Sequence, residues 1–266
     1  MGGTVGVAAV ERALTILDVF TDRDPQLSLA DLAKRTKMYK STLLRLARSL
    51  ENFGYLVRND DGTYRLGSKL LQLGSLYQRH LHTADIVPDV LRSLVGDVEE
   101  GASFYVPDGD RRLCLHRVDS QRSVRDSVHE GDRLPLTNGA AGHVLRAFTG
   151  VRGERLDRVR EQMYAASYGE RDPETAAIAV PVFGSQNRLV GALNVSGPRY
   201  RIEALGEQRV VPVIFQHAQA LTRMFGGDPG APEFAGWQTR SRSSRASGAR
   251  ASKRPAARRT TATAAR

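Results

Sequence analysis

A run of basic residues is the first part of this sequence whose side chains could do specific chemistry. Between Leu32 and Leu50 there are six Lys or Arg residues and no Asp or Glu. The segment Lys40-Ser41-Thr42 brings together a cation, two hydroxyls and backbone N–H groups, all of which can bond phosphate oxygens. One turn later, Arg45 could reach base edges, where arginine best reads guanine. This pattern predicts contacts with double-stranded DNA.

The same charges could instead solvate one face of a helix and bind nothing. The lack of acidic residues over this span, together with the elements predicted around it, favours DNA contacts. The residues predicted to touch DNA are Lys40, Ser41, Thr42, Arg45 and Arg48, with Arg58 and Arg65 on two strands that follow.

Three helices and a hairpin are predicted to position these residues. Apolar residues at three- and four-residue spacing predict helices over 8–21 and about 40–53. Ser28 and Asp31 have the spacing of a capping box, which predicts that a short second helix begins there. Two short strands, 55–58 and 63–66, flank a turn-rich segment. This order is that of a winged helix-turn-helix over residues 8–67, in which the start of the third helix enters the major groove.

The rest of the chain alternates between helical and strand patterns. A helix over about 68–82 is predicted to serve as a linker, within residues 68–84. Beyond it, over 85–226, the patterns predict strands at 102–106, 112–118, 123–128, 178–183 and 189–195, and helices at 86–98, 140–148, 153–164 and 203–225. Antiparallel strands with helices segregated around them predict an α+β domain.

The charge is concentrated at the two ends of the chain. The 266 residues have a net charge of +10, and residues 237–266 contain nine Lys or Arg and no Asp or Glu. Such asymmetry predicts a polyanionic partner for the ends only. Residues 227–266 are predicted to be a disordered basic tail, because they carry too little apolar bulk to build a core.

The number of cysteines and the hydropathy pattern indicate the cellular compartment of the protein. No apolar stretch is long enough to cross a membrane. The first residues lack the basic and apolar regions of a secretory signal. The single cysteine, Cys114, excludes an internal disulfide framework and a zinc knuckle. We expect a cytoplasmic protein.

Cys114 and His116 are the pair that could suggest an enzyme. They lie two apart on a predicted strand, so they would share one face of it. They could equally be a packed thiol and an imidazole at the rim of a sheet. No paired-carboxylate, metal-ligand or nucleotide-loop spacing is visible, so we expect neither catalysis nor a cofactor.

Several motifs, taken in order, resemble those of IclR-type bacterial transcriptional regulators. They are Val10–Leu17, Ser28–Ala33, Lys40-Ser41-Thr42, Gly54-Tyr55-Leu56 and Tyr64–Gly67, then Gly131–Leu136, Ala179–Val182 and Asn194–Pro198. The resemblance covers about residues 8–225. One departure is Tyr39, which stands where a proline is common in that family.

The resemblance implies a GAF-like effector-binding domain over 85–226 that binds a small organic acid, and a homodimer or a dimer of dimers on DNA. The turn Gly139–Gly142 opens a helix, and free N–H groups at a helix N-terminus suit a carboxylate. A plain turn into a packed helix is the alternative. The predicted effector-binding residues are Gly139, Ala140, Ala141, Ala177, Asn194 and Ser196, the last two on one face of a strand.

Two positions depart from the usual effector domain. Ala177 stands where relatives often carry Cys, and Thr137 stands where a His often follows Leu-Pro-Leu. Both changes remove polar groups, so the effector could be less polar than the usual carboxylates.

The leading hypothesis is a DNA-binding transcriptional regulator that responds to a small molecule. Two other classes stay open. One is a nucleoid-type protein that binds DNA without sequence preference through its tail, and the other is a small-molecule enzyme with an appended helix-turn-helix. DNA binding that is independent of sequence and is lost when the tail is removed would indicate the nucleoid-type protein. Turnover of candidate acids would indicate the enzyme.

Overall fold

The computed structural model describes residues 6–80 and 83–231 of the chain. It divides into two compact units, residues 1–82 and 83–266, which are described separately. The division falls within the predicted linker. Most of the predicted tail, residues 232–266, lies outside the described residues.

The first unit is a winged helix-turn-helix, as the sequence predicts. Its elements are α1 (Ala8–Leu17), β1 (Gln26–Leu27), α2 (Leu29–Thr36), α3 (Lys40–Asn52), β2 (Leu56–Arg58), β3 (Tyr64–Leu66) and α4 (Ser68–His80). The strands form an antiparallel sheet in the order β1-β3-β2. The two-residue strand β1 was not predicted, because two residues give no alternation to detect.

Local signals in the sequence fix the ends of α2 and α3. The backbone N–H of Asp31 donates to Ser28 Oγ, and the backbone N–H of Ser28 donates to the Asp31 carboxylate, both at 3.1 Å. This is the reciprocal capping box that the spacing predicts. After α3, Gly54 has a φ of +76°, a conformation that favours glycine and ends the helix.

Helix α1 is shorter than predicted and ends at Leu17 instead of residue 21. The following segment folds back onto α2 through Arg35. The Arg35 guanidinium donates to the carbonyl of Val19 at 3.1 Å and pairs with Asp24 at 2.9 Å. These contacts replace the last turn of the predicted helix.

The second unit is an α+β domain built on one antiparallel sheet. Its elements are α5 (Val87–Val98), β4 (Gly101–Asp108), β5 (Arg111–Val118), β6 (Arg133–Pro135), α6 (Ala140–Phe148), α7 (Glu154–Gln162), β7 (Ala165–Tyr168), β8 (Thr175–Phe183), a 3₁₀ turn (Ser185–Asn187), β9 (Leu189–Pro198), α8 (Arg199–Leu205) and α9 (Glu207–Met224). The strand order is β6-β5-β4-β9-β8-β7.

Helices cover both faces of this sheet. Helix α6 packs on β8 and β9 and against α7, whereas α5 and α9 pack on each other and on β4, β5 and β8. Because central strands are buried on both sides, they read as nearly continuous apolar runs. In β8, for example, every residue from Ile178 to Phe183 is buried.

Two predicted elements of this unit are wrong in detail. Residues 123–128 form no strand, because the Arg117 guanidinium donates to the Asp126 carbonyl at 3.1 Å and ties this segment into a loop. The predicted helix 203–225 is two helices, separated at Gly206, whose φ is +72°. The two short edge strands, β6 and β7, were also missed.

The predicted common face of Cys114 and His116 is wrong as well. Cys114 lies opposite Tyr105 on β4, and His116 lies opposite Phe104, with a register shift between the two pairs. Since Phe104 and Tyr105 are consecutive in a strand, they point to opposite faces of the sheet. The bulge therefore sends the thiol and the imidazole to opposite sides.

Candidate DNA-binding surface and ligand cleft

Helix α3 begins with free backbone donors. Its N-cap, Tyr39, makes no side-chain capping bond, and the first backbone bond runs from the N–H of Leu43 to the Tyr39 carbonyl. The earlier N–H groups have no partner within the helix, as at any helix start. They stand beside the Lys40 side chain, which is exposed. Such a terminus favours anions, including DNA phosphates.

The residues predicted to touch DNA lie at the surface of the first unit. One side of α3 packs into the core through Leu43, Ala47 and Leu50. The opposite side presents basic and hydroxyl groups. Among the predicted contacts, Lys40, Ser41, Arg45, Arg48, Arg58 and Arg65 are exposed and Thr42 is half-buried.

These basic side chains differ in their contacts. Arg48 pairs with Glu51 at 3.7 Å, and Arg65 donates to Asn59 Oδ1 at 3.2 Å. The Arg58 guanidinium lies 5.8 Å from the centre of the Tyr64 ring. Within the described part of the chain, the charged groups of Lys40 and Arg45 have no partner. These two are therefore free to meet a ligand.

Tyr39 is a surface group that sequence reasoning did not assign a role. Its ring is 84% exposed at the start of α3, beside Lys40. A phenol hydroxyl can bond a phosphate oxygen, so Tyr39 belongs with the candidate contacts. The only sequence signal was its replacement of a proline.

The second unit contains a cleft that brings the predicted effector-binding residues together. It is lined by Tyr105, Arg112, Asp126, Gly139, Ala140, Ala141, Ser167, Arg171, Thr175, Ala176, Ala177, Asn194 and Ser196. All six predicted residues are in this set, and they come from α6, β8 and β9. We call this cavity the cleft.

Strand register explains why the cleft residues meet. Ala177 pairs with Ser167 on one side and with Ser196 on the other, while Asn194 is two residues from Ser196 on β9. Paired residues and residues two apart share a face of a sheet. Asn194 and Ser196 are almost fully buried on that face, and Ser196 Oγ has no hydrogen-bond partner.

The N-terminus of α6 is partly occupied by a carboxylate of the chain itself. The backbone N–H of Gly139 donates to Glu170 Oε2 at 2.9 Å, and His143 Nε2 lies 2.6 Å from the same oxygen. Arg155 bonds the other oxygen. The Gly139 donor is therefore not open to a ligand, which differs from the prediction for this turn.

Hydrogen bonding sets the charge of Glu170. Burial acts to raise the pKa of this carboxyl, but bonds from Arg155, His143 and Gly139 outweigh it and lower the pKa to about 2. Burial also lowers the pKa of His143. At neutral pH the Glu170 carboxylate is therefore ionised. It accepts a hydrogen bond from the protonated Nε2 of a neutral His143 imidazole.

Arg112 is one of seven cleft residues that sequence reasoning missed. It is only 3% exposed, and its Nη1 donates to the carbonyls of Asn138, at 2.8 Å, and Pro135. Its guanidinium carbon lies 5.4 Å from the centre of the Tyr105 ring. Burial lowers the pKa of Arg112. The sequence placed Arg112 at the start of a strand but could not show which carbonyls would surround it.

Backbone conformation and close neighbours account for the glycines of the turn, and Gly139 has a φ of +76°. A Cβ added at Gly139 would lie 3.0 Å from Arg112 Nη2. At Gly142 it would lie 2.5 Å from the Leu136 carbonyl and 3.0 Å from Arg112 Nη1. Small residues here leave space for a buried arginine.

The described residues contain neither a membrane-spanning helix nor a metal-ligand cluster. Over 6–80 and 83–231, no helix has the length and apolar character to cross a membrane. In the same ranges, His, Cys, Asp and Glu side chains form no group of three or more that could hold a metal ion.

Comparison with known proteins finds a family match within each unit. Residues 9–60 match the family model of the IclR helix-turn-helix domain. Residues 153–223 match the family model named Bacterial transcriptional regulator IclR C-terminal. The HTH-type transcriptional regulator XynR of Escherichia coli (strain K12) is 26% identical over 246 residues, which cover 83% of this chain and 98% of that protein.

Solved structures share the fold. A crystal structure of an IclR transcriptional regulator from a Silicibacter species has a TM-score of 0.67 at 24% identity, covering 85% of this chain and 99% of that one. An IclR homolog from Microbacterium hydrocarbonoxydans, solved in complex with 4-hydroxybenzoate, has a TM-score of 0.66 at 21% identity, covering 89% of this chain and 100% of that one. At these identities the likeness concerns the fold alone.

Proposed function

The chain belongs to the IclR-type transcriptional regulators, and we propose that a small organic molecule in the cleft of its second unit changes the DNA binding of its first. The observation that carries this proposal is that all six predicted effector-binding residues line one cavity. That cavity holds buried polar groups without partners, Arg112 Nε and Ser196 Oγ. Unsatisfied buried polar groups cost free energy that a ligand could recover.

Roles on DNA follow from the exposure and contacts of α3. Lys40, Ser41 and Thr42, with the free N–H groups beside them, hold phosphate oxygens and set the position of the helix. Arg45, exposed and without a partner in the described residues, reads base edges. Arg48 supports this face of the helix, and Arg58 and Arg65 touch the flanking backbone from the wing.

The effector acts by differential binding. A ligand shifts DNA affinity only if it prefers one of the two conformations of the protein. A bound aromatic acid in the Microbacterium relative supports a small organic molecule as the ligand class.

The remaining features of the proposal concern assembly and compartment. We infer a homodimer, alone or paired as a dimer of dimers, because two recognition helices on a pseudo-palindrome are the geometry that helix-turn-helix proteins favour. We also propose a cytoplasmic protein with no catalytic activity. In support of the latter, Cys114 and His116 point to opposite faces of the sheet and cannot act together.

Mapping the sites that the full chain occupies in its genome tests the proposal. We expect a shared palindromic sequence, and we expect affinity for it to change when small molecules handled by the neighbouring genes are added. The measurement is binding to that sequence and to a scrambled copy. Equal affinity for both DNAs would indicate a sequence-indifferent nucleoid-type protein instead.

A further inference from the structure

We propose that Leu44 reads a thymine base by packing against its C5 methyl group in the major groove of DNA. This inference rests on the proposed function in one respect, that α3 is the helix that enters the groove. It gives a base preference to a residue whose side chain has no hydrogen-bonding group.

The first step is that Leu44 is exposed although its neighbour in sequence is not. The buried side of α3 is formed by Leu43, Ala47 and Leu50. Leu44 points away from that side and is 44% exposed. All of α3 belongs to the described part of the chain, and within it Leu44 is the one large apolar side chain that is exposed. The core of the first unit therefore leaves much of this side chain in contact with water.

The second step is that Leu44 is surrounded by groups predicted to touch DNA. Residues three or four apart on a helix are neighbours on its surface, so Leu44 lies beside Lys40, Ser41 and Arg48. These three residues are exposed, and the sequence has no Asp or Glu over residues 40–48. A single exposed leucine is ordinary on a protein surface. This leucine, however, lies in the middle of a basic one.

Charge determines which partner covers Leu44. The positive groups around it would repel the same surface of a second copy of the chain, and they favour a polyanion. The apolar group that meets Leu44 therefore belongs to DNA. Base edges in the major groove present hydrogen-bond donors and acceptors, and thymine adds the C5 methyl group. Because leucine can neither donate nor accept, thymine is the base that complements it.

The place of Leu44 along α3 suits a base contact. The N-terminal residues of a recognition helix are those that reach base edges. Leu44 lies in the second turn, directly before Arg45, to which we assign base reading. We therefore expect a thymine close to the guanine that Arg45 reads, once in each half-site bound by a copy of α3.

Replacing thymine by deoxyuridine tests the inference, because it removes the C5 methyl group and keeps the hydrogen-bonding groups. The full chain first enriches its preferred sequence from a library of random duplex DNA. Each thymine of that duplex is then replaced in turn, and affinity is measured by fluorescence anisotropy. At one position in each half-site we expect deoxyuridine to weaken binding by about fourfold, the effect of losing roughly one buried methyl group.

Variants assign this methyl effect to Leu44. Leu44→Ala should bind the thymine and deoxyuridine forms of that position with similar affinity, because the group that covers the methyl is gone. Leu44→Met, which keeps a long apolar side chain, should retain most of the fourfold difference. Leu71→Ala is the matched control, since Leu71 is an exposed leucine of α4, and it should retain all of the difference. Each protein is compared with itself on the two DNAs, so a general change in affinity cancels.

Circular dichroism checks that each variant is folded. Leu44→Gln, which is similar in size to leucine but ends in an amide, carries the test if Leu44→Ala is not folded. Its affinity should also be independent of the methyl group at that position.

Four outcomes would overturn the inference. They are a library from which no sequence is enriched, a wild type that is indifferent to deoxyuridine at every position, a methyl effect that persists in Leu44→Ala, and an oligomeric state that Leu44→Ala changes in sedimentation. The last would place Leu44 between copies of the chain.

The response to small molecules is recorded separately. A methyl effect that depends on Leu44, in a protein whose DNA affinity no small molecule changes, would contradict the proposed function and leave this inference standing. A normal response to a small molecule, in a protein indifferent to the methyl group, would do the reverse.

Discussion

Glu170 caps the N-terminus of α6 by accepting a hydrogen bond from the backbone N–H of Gly139 at 2.9 Å. Glu170 lies on the loop after β7, so this contact joins the edge of the sheet to the helix that walls the cleft. The same loop carries Arg171, which pairs with Asp126. Two contacts therefore hold this loop in place beside the cleft, one from Glu170 to α6 and one from Arg171 to Asp126. The N-terminus of α6 already has an anion from the chain itself.

Replacing Glu170 by Gln should make the protein less stable in a way that depends on pH. The folded pKa is about 2, below the usual value of 4.5, so the ionised group contributes stability above pH 4.5 and loses it as pH falls toward 2. We expect Glu170→Gln to lower the free energy of unfolding by about 1–2 kcal/mol at pH 7. The difference from wild type should shrink below pH 4.5.

Urea unfolding at pH 7, 5 and 3.5 measures this difference. Glu174→Gln is the matched control, because Glu174 is an exposed carboxylate on the same loop. A gap between wild type and Glu170→Gln that stays constant over this pH range would contradict the assigned role of the carboxylate.

The sequence predicted those parts of the molecule that depend on local or periodic signals. Ser28 and Asp31 are three residues apart, so their capping box could be read directly. The common face of Asn194 and Ser196 followed from the two-residue repeat of a strand. Both signals lie within one element and need no knowledge of what packs against it.

The features that were missed depend on pairing between distant segments. Arg112 meets carbonyls 23 and 26 residues away, and only the pairing of β5 with β6 brings them close. The bulge that separates Cys114 from His116 depends on the register with β4. Arg112 adds a buried polar group to the cleft, whereas the departures at Ala177 and Thr137 remove polar groups.

Arg45 and Lys40 should respond differently to substitution. Arg45→Ala should cost about 1–3 kcal/mol on the operator and relax the base preference, because a base contact is lost. Lys40→Ala should weaken operator and random DNA to a similar extent, because a phosphate contact carries no sequence information. Fluorescence anisotropy with operator and random DNA gives the ratio of the two affinities for each variant. An operator-to-random ratio unchanged by Arg45→Ala would show that base reading lies elsewhere.

Ala140→Leu should block the effector without affecting DNA binding. Ala140 is buried, lies at the start of α6 and lines the cleft, so a larger side chain would occupy ligand space. We expect the acid that changes operator affinity of wild type to have at least a tenfold weaker effect on the variant, ~1.4 kcal/mol or more. Ala204→Leu, at an exposed site on α8, is the control. A normal effector response in Ala140→Leu would place the ligand site outside the cleft.

Residues 237–266 should attract DNA regardless of its sequence. They contain nine Lys or Arg and no acidic residue. Each phosphate neutralised on duplex DNA contributes about 0.9 to the slope of log affinity against log salt concentration. Ending the chain after residue 236 should therefore reduce that slope by several units at most, equally for operator and random DNA, and keep the operator preference. A full-length variant with these nine residues changed to Gln separates charge from length. Equal slopes for all three proteins would show that the basic segment takes no part, and loss of operator preference on truncation would show that sequence reading does not reside in α3.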